Sequence, residues 1–270
     1  MTDVSAGDFS LVGRLGVTAR SSGDEFVLAL DPSEAVLRHG VVRASVLSFL
    51  VDAVAGIMVD DDPDSWTFTS DMSVRMRPVP ATERLEAVGT VLRRGRRSST
   101  CTVEISTVGG LPVATGAIGF ATVARRPSDP PKPPVTPTRF AALFGGVQTI
   151  TRPLREEAGI EVLGAREGEL RVSVTPPLRN PAGTLQGALV ALLAEAAAED
   201  LVSTRFESPV VVTELDLRYL AQAPVGPVRT QSRLLGTEPD APVEVTLVDT
   251  SVDRITTLVY ARCSRAAHAP

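Results

Sequence analysis

Residues 180–202 read NPAGTLQGALVALLAEAAAEDLV, and this stretch decides the fold. Asn180-Pro181-Ala182-Gly183 reads as a turn, and Gly187 follows near the start of an apolar helix. One carboxylate, Glu195, sits in the middle of that helix. A charge there is costly unless something pairs with it or uses it. The same pattern recurs upstream in residues 41–56, VVRASVLSFLVDAVAG. Aligning Asp52 with Glu195 sets Gly40 on Gly183, Arg43 on Gln186, Ala44 on Gly187 and Leu47 on Val190.

The register continues without a gap. Residues 69–76, TSDMSVRM, align with residues 212–219, VTELDLRY, so Ser70 falls on Thr213 and Arg75 on Arg218. Both segments alternate apolar and polar residues, the period of a strand with one buried face. Further on, TVEIST resembles EVTLVD, and PVATGAIGFATVAR resembles RITTLVYARCSR. Before the helices, DEFVLALDP resembles GELRVSVTP. Each half therefore reads strand, turn, long helix, then about four antiparallel strands. The class is α+β, with each helix packed on its sheet. Helices are expected over residues 43–60 and 186–203. The Pro-rich stretch RRPSDPPKPPVTPTR separates the copies. The expected organisation is one domain over 1–126, an extended linker over 127–138 and a second domain over 139–270.

Composition bounds the function. The chain has 270 residues, 43% of them hydrophobic and 4% aromatic, so a core of Val, Leu and Ala can form. A net charge of −5 argues against general nucleic-acid binding. The apolar runs are short for a membrane span and carry acids. The first residues lack the basic and apolar segments of a signal peptide. Two widely spaced cysteines, Cys101 and Cys263, suit reduced thiols in a cytoplasmic protein. No cluster of Cys, His and carboxylates has metal-ligand spacing, so neither a metal nor a resident cofactor is expected.

The doubled order and spacing resemble the hotdog fold, in which an antiparallel sheet wraps round a central helix; two such units would stand in tandem. The similarity is to acyl-CoA thioesterases of the phenylacetic-acid-pathway and 4-hydroxybenzoyl-CoA thioesterase type. Asn180, Gln186, Gly187 and Glu195 stand at the spacing of that family's Asn, His-Gly and acid, and Thr213 at its later Ser or Thr. Gln186 replaces the His. The first half matches at Asp52, Gly56 and Ser70 and departs at Leu37, Arg43 and Ala44. The resemblance implies an acyl-CoA substrate, with coenzyme A arriving as part of it, and association of whole chains into a homo-oligomer.

The chemistry suits these residues. A carboxylate can activate water or attack directly, and an N–H at a helix N-terminus can hold the developing oxyanion. A thiolate leaves easily, since its pKa is roughly 8.5. Glu195 lies ~12 Å along its helix from Gly187 and cannot serve that helix start. Each complete site must then combine the two halves. One candidate pairs Asn180, Gln186 and Gly187 with Asp52 and Ser70. The other pairs Arg43 and Ala44 with Glu195 and Thr213. The first keeps more of the family pattern. Asp52 shares a helix stripe with the small residues Ser45 and Ser48, and Glu195 shares one with Ala188, Ala191 and Glu199. That suits either an acyl chain or close helix packing. The hairpin RRGRRSS offers Arg93, Arg94, Arg96 and Arg97 to CoA phosphates, or is a solvated turn. His39 lies at the mouth of the first turn, and His268 in the C-terminal tail. RNPAG lacks the flanking Asp and His of hotdog hydratases, which argues against hydration. A binding protein for acyl-CoA or another apolar ligand, without turnover, is the alternative to a thioesterase. A purely structural unit is a third reading, and it would not require an acid in both helices.

Overall fold

The computed structural model describes residues 10–22, 25–129, 131–132, 136, 138, 142 and 148–266. Before the first long helix come β1 (Val17–Ser22), β2 (Glu25–Leu30) and the short hairpin of β3 (Leu37–Arg38) and β4 (Val41–Val42). Helix α1 (Ala44–Val59) follows, then β5 (Ser65–Met76), β6 (Leu85–Arg94), β7 (Ser98–Thr107) and β8 (Pro112–Ala124). The second half repeats this. It has β9 (Glu161–Gly164), β10 (Glu169–Val172), helix α2 (Gly187–Phe206), β11 (Val210–Tyr219), β12 (Val228–Leu234), β13 (Val243–Asp249) and β14 (Arg254–Arg265).

Among the described residues, twelve strands form one antiparallel sheet in the order β1-β2-β6-β7-β8-β5-β11-β14-β13-β12-β10-β9. The halves join through β5 and β11, where Arg75 faces Glu214 and, in the mirror position, Asp71 faces Arg218. The seam is thus a pseudo-twofold, and the two sheets are continuous across it. Strand β13 alternates buried and half-buried residues along its length, as a strand with one face on a core must. Each helix lies in the curve of its own half, the tandem hotdog arrangement. Glycines let α1 approach its sheet. A Cβ at Gly116 would stand 2.5 Å from Val51 Cγ2, and one at Gly89 would stand 2.6 Å from Met58 Sδ. Leu47, Leu50 and Val54 are then wholly buried with Leu28, Val103 and Ile118. Cys101 and Cys263 are buried free thiols.

Helix α1 matches its expected span within a residue at each end. Helix α2 runs to Phe206, three residues past the expected end. Phe206 packs against the core, and Glu207 ends the helix in the left-handed region (φ 49°), its N–H donating to Ser203 O. Part of the Pro-rich stretch, and His268, lie outside the described residues. Within that stretch Lys132 is docked on the first half: its ammonium donates to Asp60 Oδ1 and to the carbonyls of Asp62 and Ser65.

Candidate active site

Helices α1 and α2 pack against each other, so each brings its middle to the other's start. At one junction a cavity of about 700 Å³ opens, lined by Asp52 and Ser70 from the first half and by Asn180, Gln186 and Gly187 from the second. The turn before α2 shapes one wall. Asn180 Oδ1 accepts from the Thr184 N–H (3.1 Å), and the Asn180 N–H donates to Thr184 O (2.8 Å). Gly183 takes φ 83°, a conformation that favours glycine. The carboxamide oxygen of Asn180 thus holds the turn, and its NH2 group is what remains for a ligand.

Gln186 is the N-cap of α2, and its side-chain oxygen accepts the Ala188 N–H. The Gly187 N–H has no acceptor among the described residues. It is the donor left at a positive helix end. Tyr219, from the end of β11, donates to Gly187 O (3.2 Å) and lays its ring beside Gly187 Cα. Burial raises the Tyr219 phenol pKa, and the Asp52 charge adds to the rise; Asp52, Gly187 and Tyr219 line the same cavity. Asp52 itself receives one hydrogen bond among the described residues, from Thr69 Oγ1 (2.6 Å). Burial raises its pKa above the ordinary carboxylate value, while the Thr69 bond opposes the shift. A half-buried base and a free helix N–H therefore face one cavity.

Ser70, grouped with Asp52 in the candidate site, makes no hydrogen bond to it among the described residues. It lines the cavity, but its hydroxyl donates to Asp71 (2.8 Å), and its neighbour Thr69 reaches Asp52. The cause is a bulge in the β5–β8 pairing between Thr69 and Asp71, which sets Ser70 out of register. Thr213 is displaced by the matching bulge in β11 and pairs with Ser264 (3.2 Å), not with Glu195.

The second junction is filled. Glu195 is 1% exposed, and its carboxylate accepts the Ala44 N–H (2.8 Å), the Ser45 N–H (3.4 Å) and the Ser45 hydroxyl (2.5 Å). It occupies the donors that a substrate oxyanion would need. Arg43, expected to bind substrate, is 5% exposed and lies between Glu199 (3.2 Å) and Glu195 (3.5 Å). Arg38 adds a contact to Glu199 at 3.5 Å. Burial raises Glu199 to about 7; Arg43 opposes the shift and Glu195 adds to it. Glu195 and Arg43 are thus structural partners, and Ser45 belongs to the helix contact. His39 is exposed on the neighbouring turn.

Sequence reasoning missed Tyr219, Thr69 and Lys132, and placed Glu199 only on the helix stripe of Glu195. Tyr219 carried a signal, as an aromatic with a polar tip at the end of a repeated strand. Glu199 carried another, since the repeat sets it opposite Gly56. Arg93, Arg94, Arg96 and Arg97 are exposed on the β6–β7 hairpin. Arg94 is tied to Asp61 (2.6 Å) and to Met58 O, which places the hairpin at the C-terminal end of α1. No group of His, Cys and carboxylates among the described residues could hold a metal, and no described helix is long and apolar enough to cross a membrane.

No family model matches the chain, and no curated protein matches it in sequence. Solved structures do match over nearly the whole length. A candidate thioesterase II from Thermobifida fusca is 18% identical with a TM-score of 0.63, covering 94% of this chain and 97% of its own. An acyl-ACP thioesterase from Bacteroides thetaiotaomicron is 10% identical with a TM-score of 0.61, covering 88% and 97%. A protein of unknown function with a hot dog fold from Alicyclobacillus acidocaldarius is 12% identical with a TM-score of 0.59, covering 95% and 98%. At these identities the likeness establishes the tandem hotdog fold.

Proposed function

We propose that the chain is a thioester hydrolase with one working site, at the junction of Asp52 and Gly187. One observation carries this reading: a half-buried carboxylate and a free helix N-terminal N–H share a cavity, while the mirror junction is closed by its own side chains. Asp52 takes a proton from water, which attacks the thioester carbonyl. The Gly187 N–H holds the oxyanion, strengthened by the helix dipole. The raised pKa of Asp52 makes it a better base than an exposed carboxylate. Asn180 offers its NH2 group to the carbonyl or the water. Tyr219 fixes the Gly187 peptide through its carbonyl. The leaving thiolate needs no strong acid, which suits a site with Gln186 where the family carries His.

The acyl group is placed against Phe49, Ile57, Trp66, Phe68 and Phe120, the apolar lining contributed by the first half. Gln222, Thr256 and Thr257 line the polar side and receive the carrier arm. Coenzyme A is the proposed carrier. With this orientation the arginine hairpin stands beside the acyl end and is a solvated turn. The reverse orientation sets the phosphates on the hairpin, and the apolar lining disfavours it. The rival reading is a binder without turnover. It is favoured by the Gln186 cap, which takes the Ala188 N–H and leaves one backbone donor where two would serve better.

A thiol-release assay over short, long and aromatic acyl-CoAs tests the reading, alongside calorimetric titration with non-hydrolysable analogues. Hydrolysis by wild type that disappears in Asp52→Asn while analogue binding persists is expected. Tight binding with no release for any ester leaves the binder.

A further inference from the structure

Lys132 joins the same cavity from the stretch between the halves. Its side chain is 4% exposed. All three ammonium protons have acceptors: Asp60 Oδ1 at 2.6 Å, Asp62 O at 2.7 Å and Ser65 O at 2.7 Å. The ammonium also lies 5.9 Å from the centre of the Trp66 ring, whose indole N–H donates to Asp129 (3.2 Å). Trp66 stacks on Phe68, with ring centres 6.0 Å apart. A fully bonded ion pair thus stands where the aromatic lining ends.

We infer that the Lys132–Asp60 pair is the end wall of the acyl arm and sets the longest acyl chain the site accepts. This rests on the proposed orientation of the thioester at Asp52 and Gly187. Asp60 follows Asp52 by eight residues on the same helix path, so the wall stands ~12 Å along the helix from Asp52, beside which the proposed orientation sets the reacting carbon. That length holds on the order of eight to ten carbons, given zigzag bonds near 1.5 Å. A longer chain would press methylenes into the pair and break its hydrogen bonds. Shorter chains leave the pair untouched. The substrate class is therefore short- to medium-chain acyl thioesters.

The test compares wild type, Lys132→Ala and Lys132→Gln over saturated acyl-CoAs from butanoyl to hexadecanoyl. Affinities for S-alkyl-CoA thioethers of the same lengths are measured in parallel, and thermal melting checks folding. Wild type should lose roughly tenfold or more in kcat/KM and in thioether affinity once the chain passes the wall. Lys132→Ala should recover most of that loss for long chains and leave hexanoyl values within about twofold. Lys132→Gln keeps a donor for Asp60 but is shorter, so it should move the limit the same way by less. It also serves if the alanine variant does not fold. A limit that stays in place in the folded variants, or an equal weakening at every length, overturns the inference and leaves the pair as a tie for the connecting stretch. The two thioether outcomes stand apart from turnover. A length limit that responds to Lys132 with no hydrolysis of any ester would sink the thioesterase reading alone. Hydrolysis with no response to Lys132 would sink the wall alone.

Discussion

The two helix junctions are built from one plan and differ by subtraction. At the closed junction Glu195, Glu199 and Arg43 fill the space between helices. Their repeat partners at the open junction are Asp52, Gly56 and Gln186. Glutamate becomes aspartate, one methylene shorter, so its carboxylate stands back from the helix start by roughly 1.5 Å. Glutamate becomes glycine, which has no side chain, and Gly56 lines the cavity. Arginine becomes glutamine, which turns in to cap its own helix. The acid that reaches the helix N–H groups becomes a cap, and the acid that falls short leaves room for a ligand. A tandem repeat lets one junction supply stability while the other keeps the opening.

The contrast is open to attack, beginning with the largest effect. Asp52→Asn should lower kcat/KM by roughly 10²- to 10⁴-fold, the range for a general base, with little change in melting temperature. Glu195→Gln should leave turnover nearly intact; steady-state kinetics that put the greater loss on Glu195 would reverse the assignment of the two junctions. Asp52→Glu keeps the charge but adds the missing methylene. If the subtraction argument holds, the longer carboxylate reaches Gly187 and closes the site, and activity falls by about 10²-fold or more. Near-normal rates in this variant would show that length is not what separates the junctions.

Stability should break the other way. Glu195→Ala strands the Ala44 and Ser45 N–H groups and takes a partner from buried Arg43. A loss of about 3–5 kcal/mol in urea unfolding is expected, with the folded fraction still active. Glu199 adds a pH dependence. Its folded pKa of about 7 lies above the ordinary carboxylate value, so the native state binds its proton more tightly than the unfolded chain. That contribution is complete below about pH 4 and is lost as pH rises through 7, so melting temperature should fall across this window. Glu199→Gln should flatten the slope. An unchanged slope would show that the closed junction does not titrate.

The smallest effect concerns Thr69. Its hydrogen bond holds the Asp52 pKa down against burial. Thr69→Val should therefore move the acid limb of kcat/KM to higher pH and leave the plateau rate largely unchanged. A uniform fall with no shift of the limb would make Thr69 a packing residue only.

The repeat register, the helix–sheet alternation and the need to combine halves were legible in the residues. Spacing carried that much, because helical rise alone forbids Glu195 from serving Gly187. The family resemblance pointed to Asp52, Asn180, Gln186 and Gly187, which the fold brings to one cavity. It could not rank Ser70 below Thr69, because the bulge that separates them arises from strand pairing between β5 and β8. It could not show Arg43 turning inward, because that depends on two glutamates that meet it only after the helices cross.

The sequence by itself determined the architecture, since hydrophobic period and a doubled pattern are local properties that each half carries in full. Why the Asp52 junction stays open and the other closes was decided by the tertiary structure. A difference of one methylene between Asp52 and Glu195 has no meaning along the chain. It acquires one only when the two helices pack and set each carboxylate at a fixed distance from the other helix's first N–H groups.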